Sequence, residues 1–193
     1  MKESEYSAEV KAYLAGILGG YDVNSHVNLQ HSVIFAENAK LWPEGLLALP
    51  RQKVYAYEVD VLVSRKGLPL VGIELKCGQG GGYSTHDVLT YSAKAARHKE
   101  LYPYLRYGMA VGSAKSIGRK FFFTNRALDF VVATLGDGGL RRLADVIEHQ
   151  AKLAENAIKI LDRVVSPRVL SWQNGNPWEW AHSTGEEEPD DAD

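Results

Sequence analysis

The chain has 193 residues, of which 45% are hydrophobic and 24% are charged. This is enough chain for one hydrophobic core and too little for two large domains, so we expect one domain. The 22 basic and 24 acidic residues give a formal net charge of −2, which on its own argues against a nucleic-acid partner. The single cysteine, Cys77, excludes an internal disulfide and favours an intracellular protein.

The sequence does not predict a membrane segment. The N-terminus lacks the apolar run of a signal peptide, and no stretch of about 18 apolar residues would span a bilayer. We therefore expect a cytoplasmic protein without a membrane partner.

The first half of the chain contains a predicted helix and a predicted hairpin. Apolar spacing predicts the helix over about residues 5 to 18, and a strand is expected around His31 to Phe35. Residues 54 to 64 and 70 to 77 are rich in β-branched residues and flank a short link, which predicts an antiparallel hairpin.

Helices and strands alternate in the second half. A helix is predicted over about 85 to 101, strands at 106 to 113 and within 128 to 135, and a long helix from the Gly136 to Gly139 turn to about residue 165. This order predicts an α/β fold with a mixed central β-sheet flanked by helices and an added long C-terminal helix. The heptad-like stripe of that helix is typical of pairing with a second copy in a homodimer, or of packing on its own domain.

The domain boundaries follow from composition. Residues 1 to 165 are predicted to form the α/β domain, and 166 to 185 a tryptophan-containing extension. Residues 186 to 193 hold six acids and are expected to be a disordered tail. Without this tail, 22 basic residues face 18 acids and the body is formally +4. Residues 51 to 125, with twelve basic and five acidic residues, carry +7, so the net charge no longer argues against DNA.

Charged residues interrupt the apolar strands of the predicted hairpin. A turn centred on Gly67 places four cross-strand pairs on one face: Ser64 with Leu70, Leu62 with Gly72, Asp60 with Glu74, and Glu58 with Lys76. Facing carboxylates about 5 Å apart repel each other, and a divalent cation such as Mg²⁺ would remove that cost. A neighbouring ammonium, that of Lys76, would orient a metal-bound water and offset phosphate charge. The alternative is a solvent-facing charge ladder.

Asp60, thirteen further residues and then Glu74-Leu75-Lys76 resemble the motif of the PD-(D/E)XK nuclease superfamily, which includes restriction-endonuclease-like enzymes. The resemblance extends over about residues 5 to 135, through that family's order of helix, three strands, helix and strand. It implies that Asp60 and Glu74 bind Mg²⁺, for which Mn²⁺ is a substitute. It also implies that the Leu75 carbonyl adds a ligand and that Lys76 is the catalytic lysine.

Further site residues are suggested by the same resemblance. Glu9 is the candidate for an acid on the first helix, and Glu58 is a further candidate, either beside the metal or paired with Lys76. In the helix over 85 to 101, Lys94 and Arg97 would contact phosphates, or else form a solvated face.

Two positions depart from the family pattern. Val59 precedes Asp60 where proline is frequent. Asp87, four residues before Tyr91, replaces the glutamine of the lambda-exonuclease-like branch, which argues against a processive exonuclease.

The sequence thus predicts a Mg²⁺-dependent DNA endonuclease, in which a metal-bound water attacks phosphorus with help from Lys76. The alternatives are a non-catalytic nucleic-acid-binding subunit of a DNA-processing assembly and an interaction protein that uses the C-terminal helix.

Overall fold

The fold was examined in a computed structural model, which describes residues 2–30, 56–78 and 82–164. Within these ranges the chain is an α/β protein with a mixed sheet flanked by helices, as predicted. The elements in chain order are α1 (Glu3–Ile17), β1 (Asp22–Gln30), β2 (Ala56–Arg65), β3 (Leu68–Lys76), α2 (Thr85–Leu101), β4 (Arg106–Val111), α3 (Lys120–Thr124), β5 (Phe130–Ala133) and α4 (Gly139–Val164).

The five strands lie side by side in the order in which they occur along the chain. The pairs β1–β2 and β2–β3 are antiparallel, whereas β3–β4 and β4–β5 are parallel. Parallel neighbours require a crossover, and the segments containing α2 and α3 supply the two crossovers. The expected order of helix, three strands, helix and strand is therefore present.

The hairpin of β2 and β3 is closed by a two-residue turn, Lys66-Gly67. Both residues have positive φ angles, 51° and 78°, which suits the right-handed twist of the flanking strands. The predicted pairing of Leu62 with Gly72 is confirmed. The predicted pairing of Ser64 with Leu70 is wrong, because the register shifts after Val63 and Ser64 pairs with Pro69.

Both faces of the central strands are buried. The valines of β2 and β3, with Ile73 and Leu75, are almost fully covered, and α1 contacts β1, β2 and β3. Leu62, Tyr107 and Met109 form a cluster with Val88 and Ala95 of α2. Glu74 of β3 is buried with them and is therefore withdrawn from water.

Residues Met1–Asn156 form one unit, which contains the sheet, and a second unit spans Ala157–Asp193. The predicted long C-terminal helix is confirmed as α4. The predicted strand around His31 to Phe35, the extension at 166–185 and the acidic tail lie outside the described residues, so the domain boundaries stay predictions. None of the described helices is long and apolar enough to cross a bilayer.

Candidate functional site

Two carboxylates from neighbouring strands meet on the face of the sheet near α2. The register pairs Val61 of β2 with Ile73 of β3, so Asp60 and Glu74 occupy the next position along the hairpin. Asp60 Oδ2 accepts a hydrogen bond of 2.7 Å from the backbone N–H of Leu75. The Glu74 side chain is only 2% exposed. The hairpin thus brings together the two predicted metal ligands and Leu75.

Glu74 is held by two donors from other elements. Its Oε1 lies 2.5 Å from Lys94 Nζ of α2 and also accepts a hydrogen bond from the Tyr107 hydroxyl of β4. Lys94 donates a second bond, 2.7 Å long, to the backbone carbonyl of Glu58. A residue expected to contact phosphate is therefore directed toward the protein's own carboxylate.

Tyr107 reaches Glu74 because its ring lies over Gly72. A Cβ at position 72 would come within 2.6 Å of that ring, so a larger residue would displace it. Burial, together with the nearby charge of Glu74, raises the pKa of the Tyr107 phenol well above its usual value. The phenol thus keeps its proton and serves as a donor.

Burial also raises the pKa values of Asp60 and Glu74, because a desolvated carboxylate favours its neutral form. The N–H of Leu75 opposes this shift at Asp60, and the Lys94 ammonium opposes it at Glu74. Each carboxylate also feels the other or a neighbouring acid as a like charge. Burial therefore outweighs the nearby donors and cations, and the pKa of each carboxyl group stays above its usual value.

Lys76 lies at the end of β3, two residues beyond Glu74. Its Nζ is 3.6 Å from Asp87 of α2 and 3.7 Å from Glu3 of α1. Asp87 also closes a reciprocal cap with Ser84 at the start of α2. Burial acts to raise the pKa of Asp87, but the bonds from Ser84 and the charge of Lys76 lower it overall.

The acid that α1 contributes near the site is Glu3. Besides its contact with Lys76, its charge acts on the pKa of Asp60. Glu9 lies elsewhere, lining a cavity of about 520 Å³ with Tyr6 and Thr134. Helical periodicity predicts which face of a helix an acid occupies, but not which end of the helix lies near the site. The sequence therefore did not predict Glu3.

Glu58 pairs with His26 of β1 rather than with Lys76. Its Oε1 lies 2.9 Å from His26 Nδ1. His26, Glu58 and Asp60 each offer one possible metal-ligand atom, and these three atoms lie within 4.8 Å of one another. His26 adopts a φ of 54°, unusual for a residue within a strand. The pairing of β1 with β2 brings this histidine near Asp60, from which it is 34 positions away in the sequence.

Arg97, the second predicted phosphate contact, lies on the exposed side of α2. Its guanidinium pairs with Glu100 at 3.2 Å, and both side chains are exposed. The structure therefore does not bring it to Asp60 and Glu74.

We call the group formed by Glu3, Asp60, Glu74, Lys76, Asp87 and Lys94 the carboxylate cluster. Among the described residues it combines four carboxyl groups with two ammonium groups. If all six are ionised, two negative charges remain uncompensated, which is the charge that one divalent cation would neutralise. The ligand atoms that lie within 4.8 Å of one another are those of His26, Glu58 and Asp60, so Asp60 is shared between that group and the carboxylate cluster.

Comparison of the chain with protein-family models, with curated proteins and with solved structures finds no match.

Proposed function

We propose that the protein is a Mg²⁺-dependent DNA endonuclease with a restriction-endonuclease-like fold. The observation that carries this proposal is the desolvated pair of Asp60 and Glu74 on adjacent strands, followed by Lys76 at the same end of the sheet. The resemblance of Asp60 and Glu74-Leu75-Lys76 to the PD-(D/E)XK motif supports the same conclusion.

The donor set fits a hard divalent cation. Within the described part of the chain, Asp60 uses Oδ2 for the Leu75 N–H, and Glu74 uses Oε1 for Lys94 and Tyr107. One oxygen of each carboxylate is left for a metal, and the Leu75 carbonyl is a third candidate ligand. The excess negative charge of the carboxylate cluster and the raised pKa values would both be relieved by such an ion.

When bound, Mg²⁺ lowers the pKa of a coordinated water and polarises a phosphoryl oxygen. Lys76 would orient the attacking water and offset the negative charge that develops on the phosphate. Attack forms one P–O bond as the bridging P–O bond breaks, and the departing oxygen takes a proton from solvent. Glu3 and Asp87 would hold the Lys76 ammonium in place.

The test is nicking of supercoiled plasmid with Mg²⁺, with EDTA and RNA as further arms. Asp60→Asn keeps an acceptor for Leu75 N–H but removes the charge, and Lys76→Met removes the ammonium. We expect each to lower the nicking rate by at least about a hundredfold. Lys152→Met is the matched control, since Lys152 pairs with Glu148 on the exposed side of α4. Equal nicking by all four proteins, or no cleavage of any substrate by the wild type, would contradict the proposal.

The Lys94–Glu74 ion pair favours a second candidate, a non-catalytic nucleic-acid-binding subunit of a DNA-processing assembly. In that case Lys94 is the permanent partner of Glu74, and no metal is needed. DNA binding would then depend on salt and would be the same with EDTA, with Asp60→Asn and with Glu74→Gln. A loss of nicking with retained binding in Asp60→Asn would instead favour the nuclease.

A further inference from the structure

The short helix α3 presents two large aromatic side chains to solvent. Phe122 is 72% exposed and Phe123 77%, the highest values among the large hydrophobic residues in the described part of the chain. The residue before them, Phe121, is only 3% exposed and packs edge-on against Tyr83. One ring thus anchors the helix while the next two are left without cover, which is costly unless a ligand covers them.

Basic residues flank these rings in the sequence. Lys115, Arg119, Lys120 and Arg126 are all exposed, and the sequence from 115 to 126 contains no acid. The ion pairs among the described residues involve none of the four. Aromatic rings next to unpaired cations are what single-stranded nucleic acids require, because the bases stack and the phosphates need countercharge.

The aromatic pair is fixed relative to the carboxylate cluster. The Ser92 hydroxyl of α2 donates to Asn125 Oδ1 at 3.1 Å and accepts from the Arg126 N–H at 3.2 Å. The Gly118 N–H donates to the Tyr83 hydroxyl at 3.0 Å. Since α2 also carries Lys94 and Asp87, α3 is held to the helix that lines the candidate site.

A cleft of about 430 Å³ lies between the start of α2 and α3. Its lining includes Thr85, Ser116 and Lys120, whose hydroxyl and ammonium groups are donors suited to phosphate oxygens, and also Ser84. Ser84 is bonded to Asp87, which in turn pairs with Lys76. The cleft therefore lies beside the carboxylate cluster. A nucleic-acid backbone bound in it would contact polar groups between that cluster and α3.

We propose that Phe122 and Phe123 form a stacking site for unpaired bases of single-stranded DNA, with Arg119 and Lys120 contacting the adjacent phosphates. This rests on the proposed function and narrows its substrate to DNA with a single-stranded stretch, such as an overhang or a fork. In a duplex both faces of each base are already stacked, so two exposed phenyl rings add little. A five-residue helix with two such rings is too short to serve as a membrane-binding amphipathic helix.

The test measures binding of a fluorescent 20-nucleotide single strand and of the matching duplex by anisotropy in EDTA, with the full chain. Phe122→Ala/Phe123→Ala should weaken single-strand binding about tenfold or more, while duplex binding changes less than about threefold. Phe122→Trp/Phe123→Trp should restore it, because indole also stacks. Leu68→Ala, which alters an exposed apolar residue at the start of β3, is the control and should bind as the wild type does.

Arg119→Gln/Lys120→Gln should weaken binding of both DNA forms and reduce its salt dependence. Unchanged single-strand binding in the double alanine variant would overturn the proposal, as would equal losses for both DNA forms or tighter binding to anionic lipid vesicles than to DNA. The readout needs neither metal nor cleavage. If plasmid nicking fails but the single-strand effect holds, the nuclease proposal falls and the stacking site stands.

Discussion

Two groups of charged residues near β4 differ in how well their charges balance. At the start of β4, the Asp129 carboxylate lies 2.7 Å from Lys99 and 3.3 Å from Arg106. It also accepts a hydrogen bond of 2.7 Å from the Tyr107 N–H. Among the described residues this Asp129 cluster has more cations than anions. The carboxylate cluster has the opposite imbalance and contains two acids with raised pKa values.

The contrast separates a structural ion pair from a candidate site. In the Asp129 cluster the carboxylate is fully compensated by cations, as expected for a charge that only holds elements together, because a buried uncompensated carboxylate is costly. A group of acids that is left short of positive charge reduces stability and is retained where a ligand supplies the missing charge. The same sheet thus contains a carboxylate that is compensated by the protein's own cations and a cluster whose negative charge exceeds its positive charge.

Asp129→Ala should have the largest effect on stability. It leaves Arg106 and the Tyr107 N–H without this acceptor, while Lys99 keeps only the Ala127 carbonyl. We expect a loss of about 3 kcal/mol in the free energy of unfolding. Urea unfolding measures this loss. Asp145→Ala, which breaks an exposed pair with Arg141, should cost below about 0.5 kcal/mol. Equal costs would show that the Asp129 cluster is not a structural anchor.

Mg²⁺ should stabilise the wild type by filling the charge deficit of the carboxylate cluster. At a concentration ten times the dissociation constant, the gain is about 1.4 kcal/mol in the free energy of unfolding. Asp60→Asn should lose most of this gain, while Asp129→Asn should keep it. Unfolding with Mg²⁺ and with EDTA is the measurement, and an equal gain in both variants would mean that the metal binds elsewhere.

Glu3→Gln should weaken Mg²⁺ binding by about threefold, because it removes an exposed carboxylate near Lys76 and Asp60. Glu9→Gln is the matched control on the same helix, since Glu9 lines a different cavity. Titration of Mg²⁺ by calorimetry compares the two. A larger effect from Glu9→Gln would reverse the assignment of the acid on α1.

The pH dependence should show the smallest effect. Because the folded-state pKa values of Asp60 and Glu74 are raised from 3.8 and 4.5, their stabilising contribution is complete below those values and is lost as the pH rises through the folded-state pKa. In metal-free buffer, Glu74→Gln should therefore lose less stability than the wild type over that range. A steeper loss in the variant, measured by urea unfolding at several pH values, would contradict the assigned direction.

Local patterns of the sequence predicted much of the fold. The helix over 85 to 101, the hairpin and the long C-terminal helix follow from periodicity, capping and β-branched runs, and each is present. α3 was missed because Phe121 to Phe123 form a short apolar run without helical periodicity. β1 was not predicted, because its many polar residues do not give the apolar pattern by which a strand is recognised in a sequence.

The sequence predicted the part of the candidate site that lies within the hairpin of β2 and β3. Asp60, Glu74 and Lys76 follow from alternation along two strands that are adjacent in sequence. The partners of these residues, Lys94, Tyr107 and Glu3, come from elements whose packing depends on the whole sheet. Strand pairing also determines that His26 meets Glu58, and no spacing along the chain contains that information.

Tyr107 connects the two charged clusters, since its N–H donates to Asp129 and its hydroxyl donates to Glu74. A substitution at either end changes the position of the same ring over Gly72. The energetic effects of Asp129→Ala and Glu74→Gln are therefore expected not to add in the double variant. The size of that non-additivity measures how strongly the Asp129 cluster, at the start of β4, determines the geometry of the candidate site.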